Sequence, residues 1–142
     1  MDEIKISEVN CDEQTSGLQF FETRVQAGFP SPVQGEFADT INLNRALITN
    51  PAATFCARVI GNSMVDAGIN EGDLLIIDRS LTPHDGNIAV CFIDGDFTVK
   101  RLSVRDDGIY LTPANAAFPE MKVEEDSNFQ VWGIVSHIIK RV

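Results

Sequence analysis

Histidine is nearly absent from this 142-residue chain: His84 sits in the turn-rich run Pro83-His84-Asp85-Gly86 and His137 in an apolar stretch near the end. Neither forms a paired signature with a cysteine, which argues against a cysteine–histidine peptidase. Cysteine is scarce too. Cys11, Cys56 and Cys91 lack metal-ligand spacing, and their odd number argues against a closed disulfide framework. No metal and no cofactor are expected, and a reducing cytoplasm is the simplest compartment. Cys56 and Cys91, in apolar segments, are expected to fill the core, with Cys11 exposed. Basic residues are few, 11 Lys and Arg against 21 Asp and Glu, for a net charge of −10. That balance excludes an electrostatic grip on phosphate backbones, so direct nucleic-acid binding is not expected. No apolar run approaches a membrane span, and Met1-Asp2-Glu3-Ile4-Lys5 has neither region of an export leader. Asp66, Asp73 and Asp78 read as turn and strand-end residues rather than a two-carboxylate site. Repeats and low-complexity tracts are missing.

What is present suits one domain with a short appendage. Residues 1–27 hold six acids and two bases, and their apolar residues are sparse before Leu18, Phe20, Phe21 and Val25. Gly28-Phe29-Pro30-Ser31-Pro32 then places two prolines where no helix or central strand continues. The chain therefore divides into an extended, partly ordered arm (1–27), resting on the rest through its aromatics, and a body (28–142). Ile41, Leu43, Leu47 and Ile48 predict a helix that Asn50-Pro51 ends. Strands are predicted over 54–60, 74–78, 87–93, 97–104, 109–112 and 129–139, each rich in Val, Ile, Phe and Thr. Asp94-Gly95 is a strong hairpin signal, because a two-residue turn of that hand needs positive φ. The body is expected to be mostly β.

Two segments carry candidate chemistry. Gly61 permits a sharp reversal after the 54–60 strand, which places Ser63 at the head of a turn, its hydroxyl exposed and its N–H free to help hold an oxyanion. A serine is a poor nucleophile until a base takes its proton, and lysine serves as that base only when kept neutral. Lys100 lies in a predicted strand, sharing a face with Thr98 and Leu102 while Phe97 and Val99 point the other way. Taken singly, Ser63 reads as a cap for the turn that follows, and Lys100 as a solvated edge lysine. The pair is more specific than either member.

Gly61-Asn62-Ser63-Met64, Asn70-Glu71-Gly72-Asp73-Leu74-Leu75, Asp94-Gly95-Asp96-Phe97-Thr98-Val99-Lys100, Leu111-Thr112-Pro113-Ala114-Asn115 and Val131-Trp132-Gly133-Ile134-Val135 together resemble the LexA and UmuD family of self-cleaving serine peptidases. The resemblance spans nearly the whole chain. It implies a strongly bent, mostly antiparallel β fold of the LexA and signal-peptidase type. It also implies that Ser63 attacks the carbonyl of Ala27, that Lys100 is the general base, and that Gly28 becomes a new N-terminus. Gly28 lies 35 residues before Ser63, and Ser63 lies 37 before Lys100, which fits the family.

Twenty-seven residues are too few for the DNA-binding domain of a repressor. Signal peptidases need a membrane anchor. The UmuD branch, accessory subunits of the error-prone DNA polymerase V in the SOS response, suits the run after Gly28 best. Ala27 stands where the best-known members of that branch carry cysteine, but a small residue is kept. The resemblance further implies a homodimer, stimulation of cleavage by a RecA nucleoprotein filament, and binding to UmuC, the catalytic subunit of that polymerase. Phe20 and Phe21 offer a weak peptide for the replication sliding clamp, against the plainer reading that they pin the arm. Two alternatives stay open: a noncatalytic dimeric interaction subunit, and a peptidase acting on other chains.

Overall fold

Short segments of β-branched and aromatic residues, separated by glycine-bearing turns, assemble as an antiparallel sheet in the computed structural model. The structure describes residues 3–9, 18–20, 39–62, 64–113, 115, 117, 119–124 and 128–142. Within these, the strands are β1 (Glu3–Glu8), β2 (Leu18–Phe20), β3 (Asp39–Ile41), β4 (Thr54–Ile60), β5 (Leu74–Asp78), β6 (Ile88–Ile93), β7 (Asp96–Arg105), β8 (Gly108–Thr112), β9 (Met121–Lys122) and β10 (Phe129–Ile139), with one helix, α1 (Leu43–Leu47). Eight strands form one sheet in the order β1-β4-β5-β10-β6-β7-β8-β9, and β2 pairs with β3 separately. The chain divides into two compact units, Met1–Val9 with Asn50–Val142, and Asn10–Thr49.

The mostly-β expectation is borne out, and β4, β5 and β10 have the predicted bounds. The Asp94-Gly95 turn has positive φ at both residues, 48° and 89°, and joins β6 to β7 in register from Ile93↔Asp96. The predicted helix is shorter than its apolar spacing suggests, because Ile41 is the last residue of β3. The Asn42 side-chain oxygen accepts from the N–H of Asn44 at 3.0 Å and of Arg45 at 3.4 Å, so the cap sets the start at Leu43. Within the arm, residues 3–8 form a strand paired with β4 at six positions, an element the sequence reading did not assign. Phe21, Val25, Ala27 and Gly28 lie outside the described residues.

Apolar side chains pack on both faces of the sheet. Ala57, Val59, Leu75, Ile77, Val90 and Val99 form one core with Met64 and Ile69 from the turn after β4, and Ala89, Cys91, Leu102, Leu111 and Ile134 form the other. Each large side chain fully buried contributes about 1.5–3 kcal/mol. Cys91 is buried as expected, but Cys56 is only half-buried, since it lies near the outer edge, opposite Ser7 of β1. Two register shifts, between Val131 and Gly133 and between Val135 and His137, bend β10 where it passes from β6 to β5. Gly133 is required there: a Cβ at this position would stand 2.5 Å from Ile77 Cγ2.

Candidate active site

β4 ends at Ile60, and Gly61 turns the chain with φ 110°, a conformation that disfavours any side chain. Beyond it, Met64 is 2% exposed and anchored in the first core. Its carbonyl accepts from the N–H groups of Ala67 and Ile69, each at 3.1 Å, around the single 3-10 turn Val65–Ala67. On the other side, Asn115 Nδ2 donates to the Asn62 carbonyl at 2.7 Å, while Asn115 Oδ1 accepts from Ala117 N–H at 3.0 Å. The residues flanking Ser63 are thus held from two directions. Ser63 itself lies outside the described residues, as do Ala27 and Gly28.

Lys100 is described. β7 lies between β6 and β8, so the edge-lysine reading is corrected: Lys100 is half-buried on an interior strand, opposite Ala89. It lines a cavity of about 400 Å³ with Ile93, Asp94, Asp96, Thr98, Pro119 and Met121. The expected alternation holds, for Phe97 and Val99 pack with the first core and Leu102 with the second. Thr98 is 6% exposed, and its Oγ1 is a buried side-chain oxygen with no hydrogen-bond partner among the described residues. A buried hydroxyl in that state is costly and invites a donor or acceptor. Burial pushes the Cys91 thiol up to about 12, while the Lys100 charge opposes the rise. Cys91 is therefore an inert core thiol that senses the lysine.

The remaining polar groups do not compete for the role. Ser136 Oγ lies 3.0 Å from His137 Nδ1, but that hydroxyl also donates to the Ile76 carbonyl at 3.3 Å, which ties β10 to β5. His84 is exposed in a turn, its N–H donating to Asn87 Oδ1 at 2.6 Å. Among the described residues no cluster of three His, Cys, Asp or Glu side chains is placed to hold a metal. Sequence reasoning missed the tie from Asn115, because its partner lies 53 residues away and no spacing reveals it. Thr98 was legible as a face-mate of Lys100, though its burial was not.

A family described as Peptidase S24-like matches residues 19–136, most of the described body. The chain belongs to the S24 peptidase family. Among the relatives of this S24 chain, MucA of Salmonella typhimurium is 39% identical over 135 residues, covering 94% of this chain and 92% of MucA. ImpA of Shigella flexneri is 43% identical over 121 residues, covering 85% of this chain and 82% of ImpA. LexA repressor 2 of Pseudomonas syringae pv. tomato is 34% identical over 118 residues, 83% of this chain but 58% of that repressor. The resemblance to LexA-type serine peptidases is thus borne out at the level of family and fold.

Proposed function

We propose that this S24 chain is a self-cleaving serine peptidase in which Ser63 is the nucleophile, Lys100 the general base, and Ala27-Gly28 the bond cut. The observation that carries the reading is the setting of Lys100, half-buried on an interior strand beside a cavity and a buried hydroxyl with no partner among the described residues. Such a lysine loses much of the water that favours its charged form, which is what a lysine base requires. Met64 and Asn115 support the reading by fixing the backbone on both sides of Ser63.

Lys100 Nζ takes the Ser63 hydroxyl proton as Oγ bonds to the Ala27 carbonyl carbon. The tetrahedral oxyanion is held by backbone N–H groups, and the carbon–nitrogen bond then breaks as Lys100 returns the proton to the Gly28 amine. Water, deprotonated by the same lysine, hydrolyses the Ala27 ester and frees Ser63. Tethering presents the scissile segment at high effective concentration, so regulation consists in restraining the closed state until a RecA filament favours it. The product, on this reading, is a dimeric accessory subunit of an error-prone polymerase acting in the cytoplasm. Intact-mass spectrometry of the purified chain beside Ser63→Ala tests it. A fragment spanning residues 28–142, missing from the variant, is expected; the same fragment from both proteins would remove Ser63 from the mechanism.

A further inference from the structure

β1 is an edge strand of unusual attachment. It pairs antiparallel with β4 from Glu3↔Ile60 to Glu8↔Phe55, and Ile4 and Ile6 pack against the first core. Its covalent connection to Asn50–Val142 runs through Asn10–Thr49, the segment that contains Ala27 and Gly28. The edge beneath it is ready for a strand. Val59 N–H donates to the Asp73 carbonyl and its own carbonyl accepts from Gly72 N–H, each at 2.9 Å, so Val59 faces the β5 side. Strand alternation then turns the backbone groups of Cys56, Arg58 and Ile60 toward β1. Without β1 those groups form an open edge, which pairs readily with any extended chain.

We propose that the outer edge of β4 is a strand-addition site. β1 occupies it while the chain is whole. After the cut, its occupant is an extended segment of a partner protein bearing two apolar side chains two residues apart, as Ile4 and Ile6 are. The second half of this proposal rests on the self-cleavage reading. While tethered, β1 competes at an effective concentration on the order of millimolar, whereas a detached six-residue strand is lost on dilution. Main-chain hydrogen bonds supply the affinity of such additions, and pockets for alternate side chains supply the specificity. Here the matching core positions are Ala57 and Val59, which Ile6 and Ile4 pair with while β1 is in place. β4 also runs directly into Gly61-Asn62, so its edge is emptied by chemistry performed at its own end.

Binding of a fluorescent peptide of residues 1–9 to full-length chains tests the site without any cleavage. Lys5→Pro removes a β1 amide opposite Arg58, and Ile4→Asp with Ile6→Asp removes both apolar anchors. Either variant is expected to bind the peptide at least about tenfold more tightly than the unaltered chain, where tethered β1 competes. The peptide is also expected to restore hydrogen-exchange protection at Cys56, Arg58 and Ile60. A peptide carrying both aspartates is expected not to bind. Variants that keep β5 and β10 protected yet gain no peptide binding would overturn the proposal. In the unaltered chain the same three amides are expected to open together and independently of β5, and exchange only through global unfolding would also overturn it. Chain that has cut itself is expected to lose their protection on dilution, and full retention would refute replacement by a partner. None of the uncut measurements depends on Ser63, so their failure is separate from failure of the self-cleavage reading.

Discussion

A buried hydroxyl without a partner destabilises a protein unless something uses it, and Thr98, two residues before Lys100 on the same face, carries one that has no partner among the described residues. Thr98→Val is expected to raise unfolding stability by about 1 kcal/mol in urea titrations, since an unsatisfied group is lost at nearly constant shape. Self-cleavage is expected to slow if the hydroxyl orients the lysine amine; a stability loss with unchanged cleavage would contradict both roles. Asn115 acts at a distance in sequence. Asn115→Ala frees the Asn62 carbonyl and is expected to slow self-cleavage about tenfold, with a stability change near 0.5 kcal/mol because the bond is exposed. Fragment yield against time, beside a thermal melt, separates the two effects. Ser63 and Lys100 were legible as candidates because Gly61 and the Asp94-Gly95 turn frame them locally. The tie beside Ser63 was not, since it joins two loop residues, Asn62 and Asn115, 53 positions apart.

Bulges and glycines decide how the elements meet. Gly133 passes so close to Ile77 that any β-carbon forces a shift in a fully buried side chain. Gly133→Ala is expected to cost about 1–3 kcal/mol, measured by urea unfolding, and an unchanged midpoint would show that β10 slides without strain. Strands rich in apolar residues between turn residues, β4, β5 and β10, could be bounded from sequence. β1 could not: Glu-Ile-Lys-Ile-Ser-Glu offers only two apolar residues, and its partner β4 lies about fifty residues on. The first helical turn was misplaced for the opposite reason. Apolar spacing reached back to Ile41, but the Asn42 cap outranked it.

At the scale of the whole molecule, one ion pair closes the end of the chain onto the sheet. Lys140 Nζ donates to Asp73 Oδ2, which also accepts from Asn70 N–H at 2.8 Å. Burial opposes the Asp73 carboxylate, but the Lys140 and Asn70 hydrogen bonds and the lysine charge outweigh it and hold its carboxyl below the usual 3.8. A lowered folded pKa contributes stability above the unfolded value, and that stability is lost as pH falls through the folded one. Lys140→Met is therefore expected to lower the melting temperature at about pH 7 and to flatten its decline below about pH 4. An acid limb of undiminished slope would place the linkage elsewhere. Architecture, family and the candidate pair were all within reach of the sequence. The strand that β1 adds to the sheet was not. The decisive measurement is the rate at which the 28–142 fragment appears, followed by intact mass from about pH 7 to about pH 10. A lysine base predicts a rate that rises about tenfold per pH unit until Lys100 is neutral, with no fragment from Ser63→Ala. A rate flat across that range would contradict Lys100 as the base.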